Sequence, residues 1–144
     1  MALYDHKQSV LTLSGYEITS FDESADSVSI SNISDAGAYT IGSNGSGVFV
    51  ITGNKSGTLV LKLLQHSADN EVLNQLYNQQ INAIKSFTPI EMYFKDTLNG
   101  DEVMGNRGFF TTAPTTARGT AHNPTTWTIV FEKIQTKYKK GVLN

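Results

Sequence analysis

Residues 56–78, SGTLVLKLLQHSADNEVLNQLYN, change hydrophobic period from two to about 3.6 with no linker between the two halves. A chain carrying this stretch must run a strand straight into a capped helix. Leu59, Leu61 and Leu63 fall on one strand face and Thr58, Val60, Lys62 and Leu64 on the other, since side chains alternate along a pleated backbone. Ser67 is placed to cap the helix, with Asp69 and Glu71 in the first turn where the helix dipole favours negative charge. Val72, Leu73, Leu76 and Tyr77 then form one apolar stripe. The pattern predicts one helix laid on a β-rich domain.

The rest of the chain reads as strands. Residues 8–13 and 16–20 predict a hairpin folded at Ser14 and Gly15. Residues 26–33 alternate strictly, with Val28 and Ile30 on one side and the hydroxyls of Ser27, Ser29 and Ser31 on the other. Glycine recurs through 35–47 and no period survives there, which predicts a long loop or an extended hairpin tip. Residues 48–52, VFVIT, are apolar on both faces and so call for cover on both sides. After the helix, Pro89 stops continuation and 89–94 starts a strand; Asn99 and Gly100 predict a type I′ turn into a partner strand over 103–111. A second long loop is expected at 112–124, and a last strand at 125–135 with Trp127, Ile129 and Phe131 on one face. About seven strands and one helix predict a mainly β (α+β) fold: two packed antiparallel sheets or a partly closed barrel, in one domain spanning 1–144.

Charge and composition remove several functions. The net charge of −2 lacks the concentrated basic face of a nucleic-acid binder. Acids gather in the first quarter while Lys133, Lys137, Lys139 and Lys140 crowd the C-terminus, a pattern that suits solvated ends or complementarity between identical subunits. The chain has no cysteine, so disulfides and thiolate chemistry are excluded. No apolar run approaches the roughly 20 residues of a membrane span, and residues 5–7 are polar, so neither a signal peptide nor a membrane contact is expected.

No motif in the chain carries catalysis. Gly42, Gly45 and Gly47 lack the lysine and following helix of a phosphate cradle. His6, His66 and His122 show no metal-ligand spacing, and no serine sits in a nucleophile elbow. Asp22 with Glu23, and Asp101 with Glu102, fall in expected turns where solvated charge is the ordinary explanation. Exposed aromatics such as Tyr39 and Trp127 leave open a carbohydrate- or receptor-binding β-sandwich. No cofactor or metal is expected, and the chain is read as a structural protein rather than an enzyme.

The opening MALYD, the SGTLVLKLLQ strand, the SADNEVLNQLYN helix and the Gly-punctuated segment 35–47 together resemble the tail tube proteins of contractile-tailed bacteriophages. The resemblance implies homohexameric rings that stack into the inner tail tube of a virion, assembled in the host cytoplasm, through which DNA passes without specific binding. It implies sheath, tape-measure, terminator and baseplate proteins as partners. A tube subunit of a secretion system or bacteriocin is the neighbouring alternative. On this basis Asp35, Tyr39, Ile41, Ser43 and Asn44 are expected in an inter-ring stacking loop, Val48, Phe49, Val50 and Ile51 in an inter-subunit strand, and Ser27, Ser29 and Ser31 facing the lumen. Residues 39–46 carry less charge than that loop does in the family.

Overall fold

The expected passage forms as a strand, Gly57–Leu63, followed by a helix, Ala68–Asn82. Ser67 caps the helix, its hydroxyl accepting from the Asp69 N–H at 3.0 Å. The computed structural model describes residues 3–5, 9–22 and 26–139. Within these the elements are β1 (Ser9–Leu13), β2 (Tyr16–Ile18), β3 (Val28–Asn32), β4 (Gly37–Ile41), β5 (Gly47–Ile51), β6 (Gly57–Leu63), α1 (Ala68–Asn82), β7 (Ile90–Asp96), β8 (Glu102–Thr115) and β9 (Thr125–Lys137). One antiparallel sheet takes the order β2-β1-β7-β8-β9-β6-β3, and β4 with β5 makes a second of two strands. The fold is mainly β with one helix and two antiparallel sheets, as expected. The large sheet does not close into a barrel, since β2 and β3 remain as its edges.

Pairing puts the large apolar residues of neighbouring strands on one face. Leu61 lies opposite Trp127 and Leu59 opposite Ile129, which in turn faces Phe110. With Leu11, Leu13, Ile90, Met92 and Phe131 these residues are buried. The sheet curls around them, so Val28 and Ile30 of its last strand border the same cleft as Ser9 and Phe94 from near the other edge. Gly108 makes room for Phe131, whose ring lies where a Cβ at that position would fall. Between Gly105 and Gly108, Arg107 takes a positive φ of 56°, a strained backbone for a residue with a side chain, and the register of β8 against β7 shifts there.

The helix is fastened to this sheet by side-chain bonds as well as packing. Leu73 is buried, Leu76 and Tyr77 pack on the core, and Phe110 meets both Tyr77 and Trp127 edge to face with ring centroids 5.7 Å apart. Trp127 Nε1 donates to Asn70 Oδ1 at 2.9 Å. Gln80 accepts from the Phe110 N–H at 2.8 Å and donates to its carbonyl at 2.9 Å, standing in for a strand neighbour.

Asp69 does more than complement the helix dipole. Its buried carboxylate accepts from the Tyr16 hydroxyl at 2.8 Å and from the Thr19 and Ser20 N–H groups at 3.0 Å each, tying the helix start to the chain leaving β2. Burial alone would raise its pKa, but the bonds from Thr19, Tyr16 and Ser20 outweigh it and hold the carboxyl below the ordinary value. A lowered folded pKa adds stability above the unfolded value of about 3.9 and loses it as pH falls through the folded one. Asp69→Asn should therefore cost about 1–3 kcal/mol near neutral pH. Urea melts should show this gap narrowing below pH ~4; a gap independent of pH would contradict the assignment.

Several boundaries differ from the expected ones. Residues 37–41 are strand rather than loop, and only 42–46 form the turn. The 112–124 loop begins later, because β8 runs through Thr115. At 97–101 the turn is not type I′, since Gly100 has a positive φ and Asn99 does not. Asp96, which is buried, organises it instead by accepting from the Leu98 and Asn99 N–H groups. The expected start of β1 at Gln8, and the residues His6, Glu23 and Lys140, lie outside the described residues.

Candidate assembly interface

The β4–β5 sheet continues the β3–β6 hairpin outward as a single arm. Its legs are held together below the sheet by the Ile33 N–H on the Ser56 carbonyl at 3.1 Å, the Thr52 N–H on the Ala36 carbonyl at 3.0 Å, and Asn54 Nδ2 on Ser34 Oγ at 2.8 Å. At the tip, Asn44 Oδ1 accepts from the Ser46 N–H and Gly45 supplies a positive φ of 85°. Tyr39 lies opposite Phe49, with ring centroids 5.0 Å apart, so Tyr39, Phe49, Ile41 and Ile51 share one face. Val48 and Val50 occupy the other. The Phe49 ring lies over Gly37, where a side chain would displace it.

This arm is apolar on both faces and, among the described residues, covered on neither. Tyr39 is 71% exposed, Ile51 73% and Val48 64%, and Val50 and Ile41 are also exposed. Among the described residues nothing supplies the expected cover for 48–52, because β5 pairs there only with β4 and lies outside the main sheet. Asp35, Ser43 and Asn44 are exposed along the same arm, so the residues assigned to a stacking loop and those assigned to an inter-subunit strand belong to one element.

The hydroxyl row is split. Ser27 is only 4% exposed and its carbonyl accepts from the Lys62 N–H, so it cannot share an open face with Ser29 and Ser31. Those two are exposed, and the pairing extends their row: Ser29 lies beside Val60 and Thr128, and Ser31 beside Thr58 and Val130. Three cations of the sheet have acidic partners. Lys62 meets Asp26 at 3.1 Å, Lys95 meets Glu102 at 3.7 Å and Arg107 meets Glu132 at 3.3 Å. The Lys62 hydrogen bond and charge hold the Asp26 carboxyl below its ordinary value.

The remaining polar candidates do not converge. His66 is exposed beside Gln65, whereas His122 accepts from the Gln65 N–H at 3.0 Å and lies 3.8 Å from Asp22. Among the described residues no group of three His, Asp or Glu is arranged to hold a metal ion. Trp127, a candidate sugar platform by sequence, is buried at 2% exposure with its N–H used by Asn70.

No curated protein sequence matches this chain. Several solved structures share its fold. One is a chain of the sheath–tube complex of PVC, an extracellular contractile injection system in the extended state, at TM-score 0.63 and 13% identity over 94% of this chain and 92% of that one. Another belongs to the PVC sheath/tube terminator, at TM-score 0.62 and 10% identity over 95% and 98%. A third comes from the virion of a native gene transfer agent particle, at TM-score 0.59 and 10% identity over 95% and 99%. Residues 8–139 match the family model of the bacteriophage PhiTE tail tube protein, and the chain belongs to this family of structural tail tube proteins.

Proposed function

We propose that this chain is the repeating subunit of an inner tail tube, in which copies form hexameric rings that stack and DNA passes through the lumen. The observation that carries the reading is the arm, an ordered two-stranded element whose apolar faces are left uncovered by the other described residues. An exposed strand pair with free edges is a template for association, and a repeating assembly supplies the cover. The free edges of the large sheet, β2 and β3, are the matching elements for continuing the sheet between neighbours.

Ser29 and Ser31, with Thr58 and Thr128, are the lumen surface of this proposal. The row is uncharged, and Lys62 beside it is paired with Asp26, so it offers DNA little reason to bind. The protein acts without catalysis or cofactor, as a virion component assembled in the host cytoplasm. Sheath and terminator are its partners by analogy with the complexes in which a chain shares the fold; tape-measure and baseplate proteins complete the set. The similarity to a contractile injection system favours one second reading, a tube subunit of a phage-like secretion system or bacteriocin.

The test is cysteine labelling at Ser29→Cys, clean because the chain has no other thiol. In assembled tubes a small reagent should modify the thiol and a reagent too bulky for the lumen should not. Equal modification by both would place the serine row outside.

A further inference from the structure

We propose that the arm of one copy seats in a groove of a second copy formed by Pro89, Phe109 and Val130, with Thr111 on its rim. The groove encloses about 600 Å³. This inference rests on the tube reading and names the surface that receives the arm.

Chemistry selects this groove. Residues 36–54 contain no charged side chain, so docking the arm onto an unpaired charge would strip that charge of water without compensation. Among the described residues the charges bordering the groove are Arg107 and Glu132, which are bonded to each other at 3.3 Å. Elsewhere, the cleft near Leu3 and Tyr138 is walled by Asp96, Asp101 and Lys139. The cleft beside α1 carries Glu71 and Arg118. Neither suits an uncharged slab of Tyr39, Phe49, Ile41 and Ile51.

Position supports the same choice. Ser56, whose carbonyl closes the base of the arm, forms part of the groove wall, so donor tip and acceptor root sit at opposite ends of one element. Five-residue strands at about 3.3 Å per residue hold the tip well away from its own root, which leaves a second copy as the occupant. A contact between two different patches of identical chains repeats head to tail, as a ring or stack requires. Pairing also places Val130 and Phe109 at the apolar end of the row that begins with Ser31 and Thr58. Covering that end leaves the hydroxyl end open.

Single-cysteine proteins test the placement. Thr111→Cys on the groove rim is mixed with Thr40→Cys, Ser43→Cys or Ser46→Cys on the arm, assembled and oxidised; Asn78→Cys on the exposed helix face serves as the control. At least one arm position should give a reducible heterodimer with Thr111→Cys in the assembled fraction, and Asn78→Cys should give none. Val130→Lys should abolish assembly while the monomer melts cooperatively. If tubes form but no arm position links to Thr111→Cys, or if Val130→Lys assembles normally, the groove is wrong and the tube reading stands. If the unmodified chain forms no tubes, both fail.

Discussion

Replacing residues 37–51 by a short Gly-Ser turn should give a folded monomer that never elongates. The ends to be joined are already close, since the Thr52 N–H bonds to the Ala36 carbonyl at 3.0 Å. The removed side chains are exposed, so little buried apolar area is lost and the stability should shift by about 0.5 kcal/mol, the range of surface changes. Assembly, in contrast, should fall below detection, because the deleted element supplies the exposed apolar area that another copy would bury. Urea melts report the first quantity and sedimentation of concentrated protein the second. A variant that fails to fold would show that the arm belongs to the core, and one that pellets as tubes of normal length would remove it from assembly.

Phe131→Ala should have the reverse signature, a large loss of stability from a residue far from the arm's tip. Phe131 is fully buried, and its ring fills the space left by Gly105 and Gly108 where β8 pairs with β9. Truncation removes the ring and leaves a cavity that the paired strands around it resist closing, at a cost of about 3–5 kcal/mol. Against a typical total of about 5–15 kcal/mol this is a substantial fraction. Phe49→Ala makes a direct comparison, since Phe49 is half exposed on the arm and should cost the monomer little. Equal losses at the two positions in chemical denaturation would contradict the division between core and arm.

That division was only half legible in the sequence. Leu59, Leu61 and Leu63 alternate with polar neighbours, so the buried face of β6 follows from period alone, as does the cap at Ser67. VFVIT is apolar throughout, and such a run states a need for cover without saying whether the same chain supplies it. The glycines of 35–47 argued for a loop, yet Gly37 and Gly47 serve a strand pair by admitting the rings and side chains of the facing strand. Ser27 shows a different limit. Alternation put it with Ser29 and Ser31, but it precedes β3, where the chain turns inward and buries it. The wider hydroxyl row with Thr58 and Thr128 depends on which residues pair across β3, β6 and β9, information that no single strand contains. Asp69 looked like an ordinary first-turn acid because its three donors come from residues 16, 19 and 20, about 50 positions away.

Electron microscopy of the purified, unmodified protein at increasing concentration tests the central claim most directly. The account predicts rings with sixfold symmetry that stack into hollow tubes, with density for the arm bridging from each subunit to another. Particles that stay monomeric at high concentration, with the arm still exposed, would contradict it.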